Sequence, residues 1–216
     1  MKTKRYLVVM WVLLSVLIPF AGAGAFNWQD LDLGGEDGPL TDTLDRLDAG
    51  EWGYKMFPLL AEEMWDKNVN RGQKKPRALT AWQKKHLAPW LKRWGLDPDA
   101  LQIVYSAALV NNYKIMDKWP ITIMDEYAGQ TFGNVIYIQQ PYKERNGSLL
   151  ILLSHEAYHA KQCQELGSIA EFGRQYTLGF VEAFFSYENN PFEKDAYAAE
   201  ARFKKWLCSQ EGWRCK

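Results

Sequence analysis

Five consecutive apolar residues, Leu149 to Leu153, run directly into Ser154-His-Glu-Ala-Tyr-His-Ala160. A run this apolar predicts a buried helix, with Ser148 as its cap and its end near Gly167, in which unpaired polar groups would be costly. The rest of the chain organises around that helix. Thr80 can cap a helix towards Trp94-Gly95, where Trp82, His86, Trp90 and Trp94 recur every four residues and Pro89 predicts a kink or restart. Upstream, 52–66 alternates apolar and charged groups and predicts a short helix after Pro58. Gly95-Leu-Asp-Pro-Asp99 reads as a turn. Strands are predicted at Leu101–Tyr105, Trp119–Met124 and Asn134–Ile138, with Gly129–Gly133 as a turn. Ser168-Ile-Ala-Glu171 has capping-box spacing and opens a helix to about Ser186. Asn190 as cap and Pro191 as first residue start the last helix. No internal repeat is visible.

Composition changes this picture little. The 216 residues suit one domain of ordinary size plus extensions. A formal net charge of zero removes the global argument for nucleic acid, so no nucleic-acid partner is expected. Aromatic content of 14% favours a well-packed protein over a disordered one.

The amino terminus changes it more. Residues 1–25 read as a secretory signal: Lys2, Lys4 and Arg5, an apolar core from Tyr6 to Phe20 broken by Pro19, then cleavage near Ala23 or Ala25. An uncleaved anchor would need about 20 apolar residues to span with comfort. The protein is therefore expected to be exported, to the periplasm or the medium. Residues 26–75 read as an acidic leader and a short helical extension, and 76–216 as the main domain. Charge reverses at Lys67–Arg93, which holds nine Lys or Arg and no acid. A solvated face is the first reading of that stretch, and contact with an anionic lipid or polymer surface of the envelope the second. Of the three cysteines, Cys208 and Cys215 are spaced to close a small loop. Oligomeric state is left open.

The chemistry lies in His155-Glu156-Ala-Tyr-His159. Residues four apart share a helix face, so His155 and His159 can hold one metal ion. Glu156 sits about 100° round the helix, from where it could reach a metal-bound water. A third ligand would come from the last helix, where Glu193, Tyr197 and Glu200 fall on one face. Glu193 follows His159 with 33 residues between them and competes with a reading as the acid of an Asn-x-x-Glu cap. Glu200 reads as a surface ion-pair group or as a hydrogen-bond partner of a ligand histidine. Asp195 points about 200° away and is the weaker candidate. Cys163, four past His159, reads first as a buried thiol and second as a further ligand. His86 belongs to an aromatic stripe and reads as a packing or surface residue.

From about Leu79 to Phe203 the chain resembles a minimal gluzincin-type zincin, of the HExxH zinc metallopeptidases, and is similar to small bacterial domains of that kind. The residues that carry the resemblance are Gly133-Asn-Val-Ile-Tyr-Ile138, Leu152-Leu-Ser-His-Glu-Ala-Tyr-His-Ala160 and Asn190-Pro-Phe-Glu-Lys-Asp-Ala-Tyr197. It implies an α+β, zincin-like fold: a small, mostly antiparallel sheet packed on an active-site helix, followed by a helical C-terminal part. It implies one Zn2+ per chain held by His155, His159 and Glu193, with Glu156 as general base. It places Asn134, Val135, Ile136, Tyr137 and Ile138 as the edge strand that pairs with a peptide or protein substrate. Glu200, Tyr197 and Tyr187 are then candidates for supporting a ligand or stabilising the transition state. Tyr176 joins them in the second role, and Tyr158 faces away. Two positions depart from the wider pattern: Lys161 stands where an apolar residue is usual, and Tyr197 where larger relatives carry an Asp. The function expected is an exported zinc metallopeptidase. The alternative is a zinc-containing, non-catalytic binding module of the envelope, with the basic, Trp-rich 67–94 stretch as its contact surface. A third reading has the histidines merely packing, with no metal.

Overall fold

The structure, a computed structural model, describes residues 39–109, 128–183 and 186–210, with side chains from residue 49 onwards. The expected signal sequence, the strand expected at Trp119–Met124 and Cys215 of the expected Cys208–Cys215 pair lie outside the described residues. Two compact units divide between Ala49 and Gly50. Of Met1–Ala49 the described part is helical from Pro39. Everything below concerns the unit from Gly50 onwards. No helix among the described residues is long and apolar enough to cross a membrane.

In chain order the elements are α1 (Pro39–Trp65), a π-helical turn (Asp66–Arg71), α2 (Ala81–Arg93), β1 (Gln102–Tyr105), β2 (Gly129–Phe132), β3 (Val135–Ile138), α3 (Gly147–Leu166), α4 (Ile169–Glu182) and α5 (Pro191–Ser209). Helix α1 is longer than expected, because Pro58 lies inside it and does not start it. Pro89 likewise lies within a continuous α2. Thr80 does cap α2, its hydroxyl accepting from Gln83 N while its own backbone N–H donates to Gln83 Oε1. Beyond α1, buried Asn68 in the π-helical turn grips the backbone of Ala108. Its amide donates to Ala108 O (3.1 Å) and accepts from Ala108 N (2.8 Å).

The fold is mixed α+β, and its sheet is mixed rather than mostly antiparallel. Strand order is β1-β3-β2, with β1 parallel and β2 antiparallel to β3. Alternation along the strands gives the sheet two apolar faces. Ile103, Ile136 and Ile138 join Leu149, Leu150, Leu153 and Ala157 of α3, with Leu87 and Leu91 of α2 and Phe203 and Leu207 of α5. Val104, Phe132 and Tyr137 face the other way, onto Leu60 and Met64 of α1. Helix α3 is thus enclosed between the sheet and α5.

Two expectations about the strands are corrected. Gly129–Phe132 is a strand, not a turn; the turn is Gly133-Asn134, where Gly133 takes φ +62°. Gly129 serves close approach instead, since a Cβ there would lie 2.6 Å from Glu156 Oε1. Val135–Ile138 is the central strand, bonded on both sides, and so is not the edge expected to take a substrate. The outer strand beside Glu156 is β2.

Candidate metal centre

Helix α3 begins one residue before the expected cap. Asn146, not Ser148, accepts from Leu149 N (2.8 Å), and Gly167 ends the helix in the left-handed conformation. Those ends fix the rotation of α3, and with it the buried face that carries His155, Glu156 and His159. Helix α5 supplies the opposing carboxylate. Asn190 caps it through Phe192 N (3.1 Å), and Pro191 occupies the first turn. The cap therefore does not use Glu193, whose side chain is turned inward and is 2% exposed.

His155, His159 and Glu193 form a buried group able to hold a metal ion, with one ligand atom from each within 4.8 Å of the others. The two Nε2 atoms stand 3.2 Å apart. Glu193 Oε2 lies 3.3 Å from His155 Nε2, and Glu193 Oε1 lies 3.5 Å from His159 Nε2. Glu193 Oε2 is buried and lacks an aligned hydrogen-bond donor. One shared proton can satisfy one line between these atoms. A cation satisfies two imidazole lone pairs and a carboxylate together, so the donor set fits a metal. Cys163, Asp195 and Glu200 are not part of the group. Cys163 is a free, buried thiol whose deprotonation burial opposes, and Asp195 is exposed.

Each member of the group has a neighbour. His159 Nδ1 lies 2.8 Å from Gln162 Oε1. His155 Nδ1 lies 3.2 Å from Glu200 Oε2, at ion-pair distance but off the line of a hydrogen bond. The Tyr197 ring packs against His155, with centroids 4.6 Å apart. Glu193 Oε1 accepts from the Tyr176 hydroxyl (2.7 Å), and Tyr187 also stands against Glu193. Tyr158 turns away to pack on Trp94.

Glu156 is 4% exposed and lies beside the group. Thr131 of β2 donates to Glu156 Oε2 (2.8 Å). Burial pushes the Glu156 carboxyl above its usual range, against the pull of His155, His159 and Thr131. Burial also works against a charged His155, but the carboxylates of Glu193, Glu200 and Glu156 overcome it and hold the imidazolium up to about 10. Glu193 is the reverse case. Burial would raise it, yet His159, His155 and Tyr187 keep it well below the usual carboxylate range. The carboxylates around His155 therefore favour positive charge there, and the histidines favour negative charge at Glu193.

The structure brings together His155, Glu156, His159 and Glu193, which the sequence reading named, with the candidates Glu200, Tyr197 and Tyr187 around them. The sequence reading missed Gln162 and Thr131. Gln162 was findable, three residues past His159 and so on the same helix face. Thr131 carried no such signal, because its stretch read as a turn. Compared with protein-family models, with curated proteins and with solved structures, the chain matches none of them.

Proposed function

We propose that the protein is an exported zinc-dependent metallopeptidase. The observation that supports this is the convergence of His155, His159 and Glu193 next to a buried Glu156. Two histidines and one carboxylate are a donor set of catalytic zinc sites, which keep a position for water. Zinc, when bound, supplies Lewis acidity that lowers the pKa of water and polarises a carbonyl. The chain's residues do the rest. Glu156 takes the proton from the attacking water and returns it to the leaving amine, roles suited to a carboxyl whose pKa burial has raised. Thr131 holds one Glu156 oxygen and so limits its rotation. Tyr176 and Tyr187 hold Glu193, and Tyr197 walls one side of His155.

A second reading has its own support. His155, Glu156, His159 and Glu193 are each less than a tenth exposed, and a closed site is the habit of structural zinc. In that reading zinc stabilises a binding module of the envelope, with the basic 67–93 stretch on an anionic surface.

The experiment is elemental analysis of zinc per chain, with and without Glu193→Ala, joined to hydrolysis of fluorescein-labelled casein by Glu156→Gln. One zinc, weakened in Glu193→Ala, with hydrolysis lost in Glu156→Gln, upholds the peptidase. One zinc with no hydrolysis by the unaltered chain favours the module. No zinc after reconstitution ends both.

A further inference from the structure

We propose that Gln162 is a positioning residue that assembles the centre from both sides. It sets the tautomer of His159, and it docks the first turn of α5, which carries Glu193, against α3. The proposal rests on the metal-centre reading and adds to it a residue that the motif does not contain.

The argument starts from donors and acceptors. Gln162 is 7% exposed, so its amide must find partners within the protein. Its Nε2 lies 3.0 Å from the backbone oxygen of Phe192. A carbonyl oxygen only accepts, so the amide nitrogen must be the atom that faces it. That leaves Gln162 Oε1 against His159 Nδ1, at 2.8 Å. An amide oxygen also only accepts, so His159 Nδ1 must carry a proton. A neutral imidazole protonated at Nδ1 presents its lone pair at Nε2. Nε2 is the atom that faces His155 Nε2 and Glu193. One amide, itself oriented by a backbone carbonyl, thus selects the form of His159 that can be a ligand.

The same amide acts on the other ligand-bearing helix. Phe192 directly precedes Glu193, so the Nε2 contact ties α3 to the turn that supplies the carboxylate. That turn is held from a second side by Asn190, whose Nδ2 donates to Tyr176 O (3.2 Å) on α4. The two histidines are therefore supported differently. His155 has a partly exposed carboxylate off the hydrogen-bond line, whereas His159 has a buried, neutral amide locked at both ends.

Three measurements test this on the full chain. In uniformly 15N-labelled protein, long-range 1H–15N correlation should find a proton on His159 Nδ1 in both chelated and zinc-loaded samples. An unprotonated Nδ1 overturns the proposal. By competition with a chromophoric chelator, Gln162→Met should bind zinc about 10- to 100-fold more weakly. Affinity within twofold of the unaltered chain overturns it. Gln162→Glu separates the two roles, because a carboxylate accepts from His159 Nδ1 but cannot donate to Phe192 O. Since Gln162 delivers Glu193, Gln162→Glu combined with Glu193→Ala should bind zinc no more weakly than Glu193→Ala alone. Losses that multiply would overturn the docking role. If Gln162→Met does not fold, the NMR measurement and the Gln162→Glu cycle still decide. If the unaltered chain binds no zinc, the metal reading fails while the Nδ1 proton still tests the clamp.

Discussion

Helices α2 and α3 present the same pattern to different ends. Both repeat a functional-looking residue every four positions: Trp82, His86, Trp90 and Trp94 on one, His155, His159 and Cys163 on the other. On α2 the stripe meets other rings. Trp82 and His86 have ring centroids 5.0 Å apart, and Trp90 packs on Trp94, Phe203 and Trp206. Among the described residues no carboxylate joins His86 in a metal-capable group, and burial together with Lys85 lowers the pKa of its imidazole. On α3 the stripe meets Glu193 and Glu200, and the His155 imidazolium is held up instead. Helical spacing decides which side chains share a face. The element packed opposite decides whether that face is a core or a site.

Several substitutions would break or sharpen this contrast. The largest difference is expected between His155→Ala and His86→Ala: the first should lose stoichiometric zinc, and the second should leave one zinc per chain. Equal zinc in both would erase the distinction between the helices. Trp90→Ala should cost about 3–5 kcal/mol of stability by leaving a void among its ring neighbours. Denaturant titration would read that loss, with zinc stoichiometry unchanged. Gly129→Ala should cost about 1–3 kcal/mol, because the added methyl meets the Glu156 carboxylate. Loss of casein hydrolysis with zinc retained would locate that damage at Glu156. A stable, fully active Gly129→Ala would show that Glu156 tolerates displacement.

The last contrast concerns pH. In chelated protein the raised His155 contributes stability that is fully present below its unfolded value of 6.5 and is lost as pH rises to about 10. Glu193 has the opposite sign. Its depressed pKa contributes above the ordinary value of 4.5 and is lost as pH falls below it. Chelated protein should therefore melt highest between about pH 4.5 and 6.5, as those two shifts require, and lower as pH climbs towards 10. Saturating zinc should reverse the trend over the upper window, since the ligands must be deprotonated to bind. Calorimetry with and without zinc would check it, and parallel curves would refute it.

The legible parts of this molecule were those written in local spacing. The α3 motif, the Asn190-Pro191 start of α5 and the Thr80 and Ser168 caps are contained within a few residues each, and all stand where spacing put them. What was not legible depended on distant partners. Glycine at 129 looks like a turn former until Glu156 is seen beside it. The same strand hid Thr131, and the position of Val135–Ile138 in the sheet depends on which strands flank it. Pro58 and Pro89 were read by their local cost, yet each is accommodated inside a helix whose packing outweighs it.

The π-helical turn Asp66–Arg71 carries a consequence for length variation. Such a turn amounts to one residue more than an α-helix would use. It sets the azimuth at which the Asn68 amide meets both polar groups of Ala108. Deleting Lys67 would swing that amide by about 100° around the axis and uncouple it. Deleting a residue from the exposed Gly72-Gln73 turn would also disturb the grip, because it moves Lys74, whose backbone N–H donates to Asn68 O (2.9 Å) and whose Nζ donates to Asn68 Oδ1 (3.0 Å). In this stretch Asn68 is tied on both sides, so a change in length on either side of it is felt at Ala108.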